Sequence, residues 1–518
     1  MKWLGFVAVA GMILNGPAFA QTPGPDTLVV AQTTDPDSLD PAQIRSRDVS
    51  NIAQHVYATL YEVDRLGNLS PYLAESYKIA PSGTEISFRL HDGLTCDNGD
   101  KLTADDVVYS FKRSADPANK FTGNTVGFVL DAVHYKDIRA DGPLDVTITT
   151  SEYSPIAIGL LAEVFIHCKG PYEKMTLAQA SQTMVGSGPY RFVRWDKNDK
   201  VVLERVEGYK LRPAPFKTLV WRDIPEASTR AAELLAGNVD IITNLSPDQI
   251  DRVNASKVAK ASIIPGTRRI YVGFNQKPKF AATKGGAAIQ KPEVRHALQY
   301  AIDVPAICEN LLHSPCVRAT GLVNPPNDNK ALTPYPYDPA MAEKLLDAAG
   351  YKRGPDGVRF TLTLQGPRDR YTNDVNVELA IGQFLSDVGV KTEVQPMEFA
   401  SSFLPVARAH DAGPLFLLGT GGATWSALYD MADIVAPHGG TNYTEWDDPE
   451  WFAGWTKINA SRDPAEQKKI IDDMQRVFYE RGPWLLLYFQ PNYYAVSTKL
   501  DWTPRSDELI YLYDAKRK

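Results

Sequence analysis

The feature that most limits the fold is the alternation of short apolar strands with capped helices along almost the whole chain. Strand-like runs lie at 28–30, 86–90, 146–149, 201–203, 270–274, 360–364, 415–418 and 485–489. They are rich in β-branched and aromatic residues and are bounded by turn formers. Helices between them carry clear start and stop signals. Asp338 is a good N-cap and Pro339 suits a first helical position. Met341, Ala342, Leu345, Leu346 and Ala349 then share one face, and Gly350 ends the run. Asp463-Pro464 opens a second helix, with Glu466 placed as in a capping box and Ile470, Ile471, Met474, Val477 and Phe478 as its apolar stripe. Pro292 opens a third, with Val294, Ala297, Leu298, Ala301 and Ile302 inward. Such alternation predicts an α/β class. With 518 residues, no internal repeat and no long linker, the chain has room for roughly two to four lobes at about 150 residues each.

The amino end reads as a leader. Lys2 precedes an apolar run over 3–14, and Ala18-Phe19-Ala20 has the small-x-small form of a cleavage site. Residues 1–20 are expected to be a signal peptide, too short for a membrane anchor. No later apolar run approaches the roughly 18 residues that span a bilayer. The next residue is Gln21 and not cysteine, so the expected product is exported and not lipid-anchored. Disulfides persist in such a compartment. Cys308 and Cys316 would close a small loop, and Cys96 and Cys168 would pair by elimination, although four cysteines admit other pairings.

Chemistry is otherwise sparse. A formal charge of −7 is unlike that of a nucleic-acid binder. No nucleophile elbow, zinc-protease helix, P-loop or dinucleotide fingerprint is present. His167 beside Cys168 is a neighbour pair and not a metal site. Asp105-Asp106 and Asp447-Asp448 read as turn or cap residues. No catalytic residue, metal or cofactor is expected.

Several stretches taken together resemble the family 5 extracytoplasmic solute-binding proteins of ABC importers. They are Leu28-Val29-Val30-Ala31 with Ser38-Leu39-Asp40-Pro41, then His55 to Tyr61, and Gly67 to Tyr77. The most specific runs from Phe88-Arg89-Leu90-His91-Asp92-Gly93 through Asn98-Gly99-Asp100 to Phe111-Lys112-Arg113. Gly186-Ser187-Gly188-Pro189-Tyr190 matches the family's glycine turn, and the stretch Val294 to Asp303 its second-lobe helix. The resemblance implies a two-lobed periplasmic binding protein fold of the large type II cluster, with a subdomain inserted in the first lobe. The first lobe would be residues 21–59, 170–270 and 490–518, the inserted subdomain 60–169, and the second lobe 271–489. It implies a monomeric receptor in the periplasm that closes by a hinge on a peptide or peptide-like solute and delivers it to membrane permease subunits.

Peptide-binding members carry a Gly-Trp-x-x-Asp segment whose Asp holds the ligand's amino terminus. Here Gly419-Thr420-Gly421-Gly422-Ala423 stands in that place, so the Trp and Asp are replaced by Thr420 and Ala423. Backbone N–H groups of the glycine turn, leading into Thr424-Trp425, suit an anion. Gly440-Thr441-Asn442-Tyr443, the run Tyr488 to Asn492 and the run Thr503 to Glu508 are similar to a subclass of opine and sugar-phosphate receptors of the agrocinopine type. The alternative ligand is therefore an anionic opine or sugar-phosphate. The expected cleft residues are Thr34 and Asp35 after the first strand, Thr125 and Phe128 from the subdomain, Gly421, Gly422, Thr424, Trp425, Asn442 and Tyr443 from the second lobe, and Gln490 near the crossover. Arg268 and Arg269 share one strand, where alternation turns only one of them toward a cleft.

Overall fold

The computed structural model describes residues 23–44, 46–65, 67–325, 327–421, 426–437 and 441–518. The expected signal peptide lies outside these residues. In chain order the strands are β1 (Thr27–Gln32), β2 (Tyr61–Val63), β3 (Leu69–Pro71), β4 (Ala74–Ile79), β5 (Glu85–Leu90), β6 (Tyr135–Ala140), β7 (Asp145–Thr150) and β8 (Tyr190–Asp196). There follow β9 (Lys200–Arg205), β10 (Thr218–Asp223), β11 (Ile241–Thr243), β12 (Ala259–Phe274), β13 (Phe360–Arg368), β14 (Val390–Glu398), β15 (Leu415–Thr420) and β16 (Trp484–Ser497). Every strand expected from the sequence is present. The two-lobed α/β architecture follows from how they pair.

Ten strands form one mixed sheet in the order β14-β13-β15-β12-β16-β11-β1-β10-β9-β8. At its centre β12 and β16 run antiparallel from Ala259↔Ser497 to Gly273↔Trp484. The first lobe builds outward from β11, parallel to β1, which is parallel to β10. The second builds outward from β15, parallel to β13, which is parallel to β14. The ribbon is longer than the sequence runs suggested, because Pro265-Gly266 and Pro491 interrupt the apolar pattern without ending the strands. The ladder skips between Ile264 and Arg268, which absorbs that interruption as a bulge.

The second-lobe helices form where capping predicts. The helix Pro339–Ala348 is capped by Asp338, whose carboxylate accepts from the Met341 N–H at 2.9 Å, and it buries Ala342 and Leu346. The helix Pro464–Arg481 is capped by Asp463 and buries Met474, Val477 and Phe478. Its Glu466 accepts from the Ser461 hydroxyl at 2.7 Å instead of closing a capping box. The helix Pro292–Gln299 buries Val294, Ala297 and Leu298, and Ala301 and Ile302 just beyond it are buried too.

A separate antiparallel sheet, β4-β5-β7-β6, carries the inserted subdomain. Phe88, Val107, Phe111, Val146 and Ile148 form its core. It is fastened to the first lobe by a buried network. Asp40 accepts from Arg113 at 2.5 Å and lies 3.1 Å from His167 Nε2. Burial alone would raise the Asp40 carboxyl, but His167 and Arg113 outweigh it and hold it well below the usual range. The turn Gly186 to Tyr190 docks on the same lobe. The Gly188 N–H donates to Val56 O at 2.7 Å, and a Cβ at Gly186 would collide with that carbonyl. Disulfides join Cys96 to Cys168, with Cα atoms 6.2 Å apart, and Cys308 to Cys316, with Cα atoms 5.7 Å apart. Among the described residues no helix is long and apolar enough to cross a membrane.

Candidate ligand-binding cleft

Between the lobes lies a cleft of about 390 Å³. Its walls come from separate elements. Ser46, Arg47 and Ser50 open the helix Arg47–Val56 that follows β1. Asn124, Thr125 and Glu163 come from the inserted subdomain. Arg370 and Tyr371 follow β13, and Gly419, Thr420 and Gly421 end β15. Arg268 lies on the ribbon, and Tyr511 and Tyr513 belong to the carboxyl-terminal segment.

Strand alternation separates the two neighbouring arginines as expected. Arg268 lines the cleft and grips Glu508 through Nε at 2.8 Å and a second guanidinium nitrogen at 2.5 Å. Burial would raise Glu508, but Arg268, helped by Arg47 and Arg370, pushes it down to about 2. Arg269 is buried on the other side and donates to Asp430 at 2.6 Å and Asp433 at 3.0 Å. Thr420 also donates to Asp433, at 2.7 Å. The Tyr371 hydroxyl holds the glycine turn, donating to Gly419 O at 3.2 Å and accepting from Gly419 N at 2.8 Å. Arg212 pairs with Glu62 and stacks on Tyr72 and Tyr513 at 4.3 and 4.4 Å.

Three cleft arginines are placed differently. Among the described residues, the guanidinium groups of Arg47, Arg370 and Arg408 form no hydrogen bond or ion pair with the protein. Arg370 is held by stacking over Tyr371 at 5.5 Å and Phe399 at 5.1 Å. Stacking fixes the guanidinium plane while leaving its N–H donors open, which suits planar carboxylate recognition. Arg47 sits in the first turn of its helix, where the macrodipole disfavours a cation and favours an anion.

The sequence-expected residues divide. Thr125, Gly421 and Tyr443 line the cleft. Thr34 does not; it is exposed and donates to the Asp48 carboxylate. Asp35 ties the end of β1 to the β8–β9 hairpin, accepting from Trp195 Nε1 at 2.8 Å and Asn198 N at 3.0 Å. Phe128 is core, edge-on to Tyr429 with ring centres 5.3 Å apart. Asn442 is buried, and its amide donates to the carbonyls of Pro437 at 2.7 Å and Trp446 at 2.9 Å, which organises its own loop. Gln490 accepts from the Thr372 N–H at 3.1 Å and positions the chain beside Arg370. Gly422, Thr424 and Trp425 lie outside the described residues. Arg47, Arg370 and Arg408 carry no periodic signal in the sequence. The one local clue is an arginine directly after the N-cap Ser46, against the dipole preference. Among the described residues no cluster of His, Cys, Asp or Glu is placed to hold a metal ion.

Known proteins resemble this chain over nearly its whole length. A glutathione-binding protein, GsiB of Pectobacterium atrosepticum, is 26% identical over 519 residues, covering 96% of this chain and 95% of its own. The ABC transporter substrate-binding protein CtaP of Listeria monocytogenes superposes with a TM-score of 0.81 at 21% identity, covering 95% of this chain and 99% of its own. AgaA of A. tumefaciens R10, solved with agropinic acid, superposes with a TM-score of 0.77 at 22% identity, again over 95% and 99%. Residues 68–442 match the family model described as bacterial extracellular solute-binding proteins, family 5 middle. With that match over well more than half of its length, the chain belongs to the family 5 bacterial extracellular solute-binding proteins.

Proposed function

We propose that the protein is a periplasmic, non-catalytic receptor that captures a peptide-like solute bearing a free carboxylate and delivers it to the permease subunits of an ABC importer. The carrying observation is the cleft wall of Arg47, Arg268, Arg370 and Arg408, of which only Arg268 is paired with a carboxylate at ion-pair distance. The ligand's carboxylate would take the open donors, and Asp433 or Glu163 on the wall would face its amino group. The likeness to a glutathione-binding protein supports this reading, since glutathione is a tripeptide with two carboxylates. The lobe boundaries near 59, 169, 270 and 489, and export as a monomer without a lipid anchor, belong to the same reading.

The arginines favour a second ligand class as well. An anionic opine offers the same carboxylates, and a structural neighbour binds agropinic acid. Thermal unfolding of the mature protein in the presence of glutathione, tri-alanine and agropinic acid separates the two. A ligand present far above its Kd stabilises by about 2.7 kcal/mol at a hundredfold excess, which raises the melting temperature measurably. A shift with either peptide supports the main reading, and a shift with agropinic acid alone moves the assignment to the opine. Turnover of an ester, peptide or glycoside panel would overturn the receptor reading altogether.

A further inference from the structure

We propose that Arg212 limits the length of the solute: with Glu62 it forms a partition between the cleft and a second cavity, and a solute too long for the cleft is stopped there. This rests on the reading of the protein as a receptor for a peptide-like solute and adds the residue that sets how long that solute can be. The second cavity has a volume of about 620 Å³. Arg65, Asp501 and Asp514 stand exposed on its walls, so it reaches solvent. Glu62, Arg212, Tyr511 and Tyr513 face both this cavity and the cleft, so the boundary between the two is made of these side chains. None of them comes from β13, β14, β15 or the segments that join those strands. The partition therefore keeps its form when the lobes move apart.

Arg212 is built in as a plug. Its side chain is largely buried, it pairs with Glu62, and it lies over the rings of Tyr72 at 4.3 Å and Tyr513 at 4.4 Å. Pairing and stacking together hold a planar guanidinium in one place. Glu62 also accepts from the Ser70 hydroxyl at 3.3 Å. The two rings are anchored without the guanidinium. The Tyr513 hydroxyl donates to Gln54 O at 2.5 Å, and the Tyr72 hydroxyl accepts from Tyr209 at 3.2 Å. The neighbouring Arg505 is already engaged by Asp507 and by the carbonyls of Val63 and Asp64. Truncating Arg212 therefore removes the plug and leaves the tyrosines standing. The cleft alone, at about 390 Å³, lies near the lower end of the roughly 300–1,000 Å³ found for ligand pockets, and joined to the second cavity it reaches the upper end.

The test uses calorimetry on the mature full-length protein with tri-alanine and hexa-alanine. Wild type should bind tri-alanine, and should bind hexa-alanine about tenfold more weakly or worse. Arg212→Ala should bring hexa-alanine to within about threefold of tri-alanine. That change leaves Glu62 without its counter-ion, so Arg212→Ala combined with Glu62→Gln serves where the single variant folds poorly. Arg212→Met fills the same place without a charge and should keep the wild-type length preference, as a steric plug requires. Three results overturn this inference and leave the receptor reading intact. They are equal or tighter binding of hexa-alanine by wild type, an undiminished preference for tri-alanine in both Arg212→Ala variants, and loss of both peptides in those variants. If wild type binds neither peptide, the peptide reading fails and a crystal structure of Arg212→Ala decides the partition. Cleft and second cavity running together, with Tyr72 and Tyr513 in place, support it, and two cavities that stay separate overturn it.

Discussion

Arg268 and Arg269 are joined by one peptide bond, yet their carboxylate partners behave in opposite ways. Asp430, behind the sheet, is fully buried, and burial pushes it up to about 6 despite Arg269 and two contacts from Asn324 at 2.7 and 3.0 Å. Glu508, facing the cleft, is also largely buried but is pushed down to about 2. The difference is the company each keeps. Asp430 and Asp433 share Arg269, so that site has two carboxylates for one guanidinium. Glu508 is within reach of Arg268, Arg47 and Arg370, so the cleft has cation to spare. Around Arg269 the carboxylates outnumber the cation, and around Glu508 the cations outnumber the carboxylate that Arg268 grips.

The strongest way to break this comparison is at Arg269. Arg269→Met should cost about 3–5 kcal/mol, because it leaves a buried carboxylate without its counter-ion. Urea unfolding would read it, and adding Asp430→Leu should recover part of the loss. A fully additive double variant would mean that the pair is not a unit.

A smaller effect sharpens the other half. The lowered Glu508 stabilises the fold fully above its unfolded value of about 4.5, and this is lost as pH falls through about 2. The loss should be on the order of 2–3 kcal/mol by proton linkage. Comparing the acid limb of the unfolding curve for wild type and Glu508→Gln checks it. A variant that tracks wild type down to pH 2 would remove Glu508 from the argument. The smallest expected effect is equally informative. Without solute, Arg47→Ala and Arg370→Ala should each change stability by no more than about 1 kcal/mol, since neither guanidinium has a hydrogen-bond or ion-pair partner and an exposed stacked cation contributes about 0.5–1 kcal/mol. A loss of 2 kcal/mol or more in thermal unfolding would mean that these arginines serve the fold.

Much of the fold was legible because its signals are local. Asp338-Pro339 and Asp463-Pro464 announce helices by capping chemistry, which needs no tertiary context. The full lengths of β12 and β16 were not legible, since Pro265-Gly266 and Pro491 look like breakers until a partner strand accommodates them. The cleft was less readable still. Asp35 and Asn442 have side chains well suited to a ligand, but backbone and indole N–H groups or nearby carbonyls engage them first. Arg370 and Arg408 look like ordinary solvated charges, and only the convergence of β13 and β15 on the cleft gives them a role.

The central position of β16 also governs when the molecule comes into being. β12 pairs with β15 and β16, and β11 pairs with β1 and β16. Remove β16 and the other nine strands fall into two half-sheets, each with an unpaired strand at its inner border. Such borders invite association with other chains. Because β16 spans Trp484–Ser497 and Glu508, Tyr511 and Tyr513 follow it, the ribbon and the cleft are completed by a segment synthesised after every other strand of the sheet. A nascent chain therefore has neither a joined pair of lobes nor a finished cleft until this segment is free to fold. The cleft is thus finished in one late step of folding.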